Sequence, residues 1–178
     1  MWYSPTKEAT DVYGLMFNVF PKMTNSHSNS IYGIELNISP IGFFVPFVTA
    51  IHSIDPETHQ VINTDVNEIN FAKYKKIYGL QIGIANLEPS VIYGLDISLS
   101  GSFESKTNGA TISLVMNKHD IINGLTIAAI GNHDTYCRGV QIGLINTCRD
   151  LRGFQIGIWN KNQKRALPII NWCFSSKK

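Results

Sequence analysis

Charge is scarce in this chain. Asp, Glu, Lys and Arg make up 16% of its 178 residues, against roughly 25% in an average soluble protein. A surface so short of charge implies that part of it meets something other than water. Net charge is +2, from 15 basic and 13 acidic residues. The longest basic clusters, Lys73-Tyr74-Lys75-Lys76 and Lys161-Asn162-Gln163-Lys164-Arg165, read as solvated turns, so a nucleic-acid partner is excluded. No run of about 18 apolar residues is present, which excludes a transmembrane helix. The start, Met1-Trp2-Tyr3-Ser4-Pro5-Thr6-Lys7, is not a secretory leader, although a cleaved leader replaced by an initiator Met would look the same. Cysteine is limited to Cys137, Cys148 and Cys173 with no C-x-x-C pair, so at most one disulfide can form and the redox compartment stays open. The phosphate-loop pattern G-x-x-x-x-G-K-[ST] is missing as well.

What the chain has is repetition. Gly79, Gly94, Gly109, Gly124, Gly139 and Gly153 follow one another at steps of 15, 15, 15, 15 and 14 residues. Three full copies share Gly-x-Gln-Ile-Gly-x-x-Asn: Gly79, Gln81, Gly83 and Asn86; Gly139, Gln141, Gly143 and Asn146; Gly153, Gln155, Gly157 and Asn160. The copies at Gly94, Gly109 and Gly124 carry Asp96, Thr111 and Thr126 in place of Gln, and two more begin at Gly14 and Gly33. Apolar and small or polar residues alternate over six to eight positions in each copy, which is the period of a strand. The chain therefore reads as one all-β domain over 1–178. Its irregular part, 1–76, holds two copies, and 77–174 holds six regular repeats and a terminal strand. Two further strands are expected at 43–50 and 61–69, around a turn at Asp55-Pro56.

Tandem G-[LVF]-Q-I-G-[LI]-x-N segments that end in Leu167-Pro168-Ile169-Ile170-Asn171-Trp172 resemble the bacterial surface-repeat proteins first described from leptospires. The resemblance is strongest over 78–172. It implies an exported protein of a Gram-negative cell envelope or outer membrane, its leader absent from the chain as read, with envelope components as partners. It carries over no catalytic or binding residue.

Fifteen residues per repeat allow two folds. An antiparallel meander of about 8–10 short strands, closed as a barrel, needs only one polar turn per repeat, and Asn117–Asp120, Asn132–Thr135 and Cys148–Asp150 supply turn formers. A parallel β-solenoid with 15-residue coils is the alternative. It needs a second buried wall, and only Ile77, Ile92, Ile122 and Leu151 recur where that wall would lie. The meander is the preferred reading. In it the Leu/Ile face, with Ile82 and Ile142, is buried in protein or lipid, and Gln81 and Gln141 lie on the tolerant face. Pointing outward, with Tyr13, Tyr32, Tyr78 and Tyr93 as a girdle, the apolar face would suit an outer-membrane barrel.

Catalytic patterns are thin, and the chain does not read as an enzyme. The histidines His27, His52, His59, His119 and His133 all fall in expected loops. His119, Asp120, His133 and Asp134 are weak metal candidates, since His and Asp from neighbouring turns can share an ion. Cys137 and Cys148 read as packing positions. Glu35 and Asp96 fall on the small-residue face and read as wet. No cofactor is expected. The function expected is a non-catalytic envelope or surface scaffold, including an outer-membrane barrel; the alternative is a soluble barrel or solenoid that binds a small apolar ligand.

Overall fold

The computed structural model describes residues 2–3, 11–19, 29–39 and 70–174. The strands expected at 43–50 and 61–69, the Asp55-Pro56 turn, and His27, His52 and His59 lie outside these residues. Nine strands follow in chain order: β1 (Trp2–Tyr3), β2 (Val12–Val19), β3 (Ser30–Ile38), β4 (Lys75–Asn86), β5 (Ser90–Ser113), β6 (Met116–Ala128), β7 (Gly131–Ile142), β8 (Ile145–Lys161) and β9 (Ala166–Cys173). A 3-10 turn at Phe71–Lys73 precedes β4.

All nine strands join in one sheet in sequence order, and every pairing from β1 to β8 is parallel. Consecutive parallel neighbours with such short connections require the chain to coil, and the fold is a β-solenoid of about seven turns. Side chains a few residues apart confirm the coil by meeting across its interior. Asn117 Nδ2 donates to Thr126 Oγ1 at 3.0 Å, and Gln141 Nε2 donates to Asp134 Oδ2 at 2.7 Å. The antiparallel meander and its barrel are thereby overturned, and with them the outer-membrane barrel. The segments 117–120, 132–135 and 148–150, expected as turns, lie within β6, β7 and β8.

The repeat glycines form one column in register, Gly14↔Gly33↔Gly79↔Gly94 and Gly109↔Gly124↔Gly139↔Gly153. Each has a positive φ, between 104° and 150°, and marks a corner of its coil. At Gly124 a Cβ would fall 1.9 Å from the Gly109 carbonyl oxygen of the coil before it. That oxygen is backbone held in the ladder, so it cannot move aside. The rest of the motif closes the next corner: Asn146 Nδ2 donates to Gly143 O at 3.0 Å and Asn160 Nδ2 to Gly157 O at 2.9 Å. Glycine three residues before the Asn leaves room for that amide.

Inside the coils the walls are mostly polar. Asn117, Asn132, Asn146 and Asn160 are buried and hydrogen-bond one to the next at 2.8 to 3.0 Å. Stacked amides suit this geometry because each has donors and acceptors for the copy above and the copy below. The largest buried apolar side chains form a column beside the glycines, with Ile77 and Ile92 in one cluster and Ile122, Cys137 and Leu151 in another. The second wall that looked too polar to be buried is therefore buried as an amide ladder.

The terminal Leu-Pro-Ile-Ile-Asn-Trp segment becomes β9, which runs antiparallel to β8 and ends the stack. Its buried Asn171 donates to Gln155 Oε1 at 3.2 Å and to the Asn160 carbonyl at 3.1 Å, so the last polar column is satisfied. Pro168 leaves β9 without one backbone donor, which blunts its use as a template for another strand. The glycine column provides a sharp test. Gly124→Ala should lower stability by roughly 3 kcal/mol or more. Gly14→Ala has open space around its Cβ and should lose only the backbone part, about 1–2 kcal/mol. Urea unfolding of both variants measures the difference.

Candidate functional site

Strand alternation sends Gln81 inward and its neighbours Leu80 and Ile82 outward, and the same holds in every coil. Gln81, Gln141 and Gln155 are fully buried, while Ile82 is 37% exposed. The faces are the reverse of the sequence expectation. The Leu/Ile side is continuous but lies outside the coil, and the Gln side is the interior.

The outward side carries three apolar columns. The first runs Leu80↔Leu95 in one stretch and Ala110↔Leu125↔Val140↔Phe154 in the next. The second is almost entirely isoleucine, with Ile82↔Ile97 and Ile112↔Ile127↔Ile142↔Ile156↔Ile170. The third includes Leu99, Leu114, Leu144 and Ile158, the last 67% exposed. No charged or polar side chain interrupts these columns, and none of their members is buried. The first two columns continue through Ile34 and Leu36 of β3 to Leu15 and Phe17 of β2, nine rungs in all. At about 4.8 Å per rung and 3.3 Å per residue, the face measures roughly 40 Å by 20 Å, on the order of 800 Å². That exceeds the largest apolar patch of a typical monomer, about 300–600 Å². On the adjoining face, before the glycine corner, Tyr13, Tyr32, Tyr78 and Tyr93 stack with ring centroids 4.9 to 5.0 Å apart. They form a ladder imposed by register, where a membrane girdle was expected.

A second feature lies inside the first coils. Glu35, Gln81 and Asp96 are register neighbours, all fully buried, so the wet-face reading of Glu35 and Asp96 is overturned. Lys75 Nζ donates to Glu35 Oε1 at 2.8 Å and to Glu88 Oε2 at 2.7 Å. Asp96 accepts from Asn86 Nδ2 and Ser102 Oγ, and Glu104 accepts from the Ser90 backbone N at 3.0 Å and from its hydroxyl. Gln81 has no hydrogen-bond partner for either amide atom, in contrast with Gln155, which donates to Gln141 Oε1 at 2.6 Å. Three buried carboxyls thus accompany one ammonium. Burial pulls the Lys75 ammonium down, but Glu35 and Glu88 outweigh it and hold the group above its usual value. Burial raises Glu35 and, further, Glu104, where Asp96 adds repulsion. Burial also raises Asp96 to about 6, against the opposing hydrogen bond from Ser102 and the nearby His119. Lys75, read with its neighbours as part of a solvated turn, instead opens β4 and is buried. Glu104 was not singled out from sequence, since polar residues on a repeat strand read as solvent-facing.

The weak metal candidates do not assemble. His119 Nδ1 meets Asp134 Oδ1 at 2.7 Å inside the coil, while its Nε2 faces Thr111 Oγ1 at 3.2 Å. His133 pairs in register with Lys118, one residue away from His119, and alternation turns it to the other side, where Nδ1 meets Thr147 Oγ1 at 2.7 Å. Asp120 is half-buried. Among the described residues no three His, Cys, Asp or Glu side chains converge to hold a metal ion. Cys137, Cys148 and Cys173 are buried and form no disulfide among the described residues, and a hydrogen bond with Cys148 together with burial pushes the Cys137 thiol far up. It stays a neutral packing group. No helix among the described residues is long and apolar enough to cross a membrane.

Comparison with protein-family models, with curated proteins and with solved structures returns no match. The repeat motif and the geometry above are therefore the grounds for a functional reading.

The buried acids set a pH dependence. Between the ordinary value of 3.8 and about 6, folded Asp96 holds a proton that the unfolded chain has released. Stability from this group is therefore greatest in acid and falls as pH rises through that window, by about 2–3 kcal/mol. Glu104 extends the decline in the same direction. Asp96→Asn removes the titration and keeps an acceptor for Asn86. It should raise the urea midpoint near neutral pH and flatten its fall between pH 4 and pH 7, relative to the native chain.

Proposed function

We propose that this protein is a non-catalytic repeat scaffold that acts through the apolar outer face of its solenoid, as a binding module for an extended apolar surface. The observation that carries the reading is the inversion of the coil: amides and carboxyls are packed inside, and uninterrupted aliphatic columns lie outside. Such an arrangement is unfavourable for an isolated chain in water, since an outward isoleucine left about 40% exposed forgoes roughly 1 kcal/mol of burial. A covering surface recovers that energy. A small apolar molecule enclosed in the coil is a poorer fit, because the interior is narrow and its side chains are engaged with one another. The resemblance of the Gly-x-Gln-Ile-Gly repeats to bacterial surface-repeat proteins supports placing the binding event at a cell envelope.

Substitutions on the two sides of one strand test this reading. Ile82→Lys and Ile142→Lys should leave the unfolding temperature close to that of the native chain, while lowering binding of an apolar dye such as anilinonaphthalene sulfonate. Gln155→Leu leaves the buried Gln141 Oε1 without its donor, and should lower stability by about 1–3 kcal/mol. Circular dichroism melts and dye fluorescence give both quantities. Unfolded isoleucine variants would mean that the face is core, and would defeat the proposal.

A further inference from the structure

We infer that the apolar face of one molecule packs against the same face of a second copy, as two sheets in a twofold-symmetric sandwich. This rests on the reading of that face as the binding surface, and it names the occupant. Area is the first ground. A face on the order of 800 Å² matches what each partner contributes to a stable protein–protein interface of standard size. Composition is the second. The three columns offer no hydrogen-bonding or charged group to orient a polar ligand, so recognition must come from apolar area and shape alone. The inner faces of a sandwich have this character, with interdigitating side chains about 10 Å apart between sheets.

Regularity is the third ground. Ile112, Ile127, Ile142 and Ile156 are spaced by the strand ladder itself. A twofold rotation lays such ridges into the grooves between identical ridges, so the surface is complementary to itself. The ends of the stack favour a closed pair over a fibre. β9 runs antiparallel with Pro168 in it, which discourages head-to-tail addition of further coils. Trp172 and Phe154 pair in register at this end, and both are exposed. They are aromatic anchors of the kind that dominate binding energy at interfaces.

The test is sedimentation velocity of the full chain in detergent-free buffer over a wide dilution series, repeated with Ile112→Lys and Ile127→Lys at the centre of the face. The native chain should sediment as a dimer, and each variant should dimerise about thirtyfold more weakly or worse while keeping its unfolding temperature. A native dimer indifferent to both substitutions would overturn the inference, because the contact would lie elsewhere. A native monomer that floats with phosphatidylcholine vesicles, and loses this through Ile112→Lys, would also overturn it. The surface reading would then stand, with lipid as the occupant. A native monomer that binds no vesicle, with folded variants, overturns the dimer too. Variants that unfold would show that the face is covered within the chain itself, and both readings would fall together.

Discussion

Parallel coils in register give nearly every residue its own counterpart as a neighbour, about 4.8 Å above and below. A side chain is therefore acceptable at a position only if it tolerates contact with a copy of itself. Glycine at the inner corner meets this condition because it has no Cβ, and Gly124 shows how little room there is. Asparagine meets it because its amide donates to one neighbour and accepts from the other. Isoleucine meets it on the outside, where ridges of equal height align. Tyrosine meets it by face-to-face stacking.

A carboxylate does not meet the condition, and the first coils show the consequence. Glu35 and Asp96 occupy the same column, with the amide of Gln81 placed between them. Lys75 enters from another wall to neutralise part of the charge, and burial raises the proton affinity of Asp96 and Glu104. The later coils carry Thr, Gln and Asn at equivalent places and need no such compensation.

The polar interior also explains why the exterior can be apolar. With stacked amides holding the coil from within, cohesion does not depend on burying the aliphatic columns, and these remain free to meet another surface. In most sheets the apolar face is consumed by the protein's own core. Here amides, hydroxyls and carboxyls take much of the interior, and the apolar face is left outside.

Much of the architecture could be read from the sequence because it is periodic. The glycine spacing marked the repeat, the alternation marked the strands, and the Leu-Pro-Ile-Ile-Asn-Trp segment marked the end of the array. Those features are local, and the backbone obeys them whichever way the chain turns next. The direction of the turn was not local. A meander and a solenoid use the same strands, and Asn117 reads equally well as a turn former or as a rung of a ladder. Likewise Gln81 and Ile82 alternate in either fold, and only closure of the coil decides which of them is inside. The apparent lack of a buried second wall was misleading because hydrophobicity alone does not register amides that satisfy one another across coils. The tertiary structure supplied that missing fact: burial here is decided by what can stack on its own copy, a relation between residues fifteen apart that no single segment expresses.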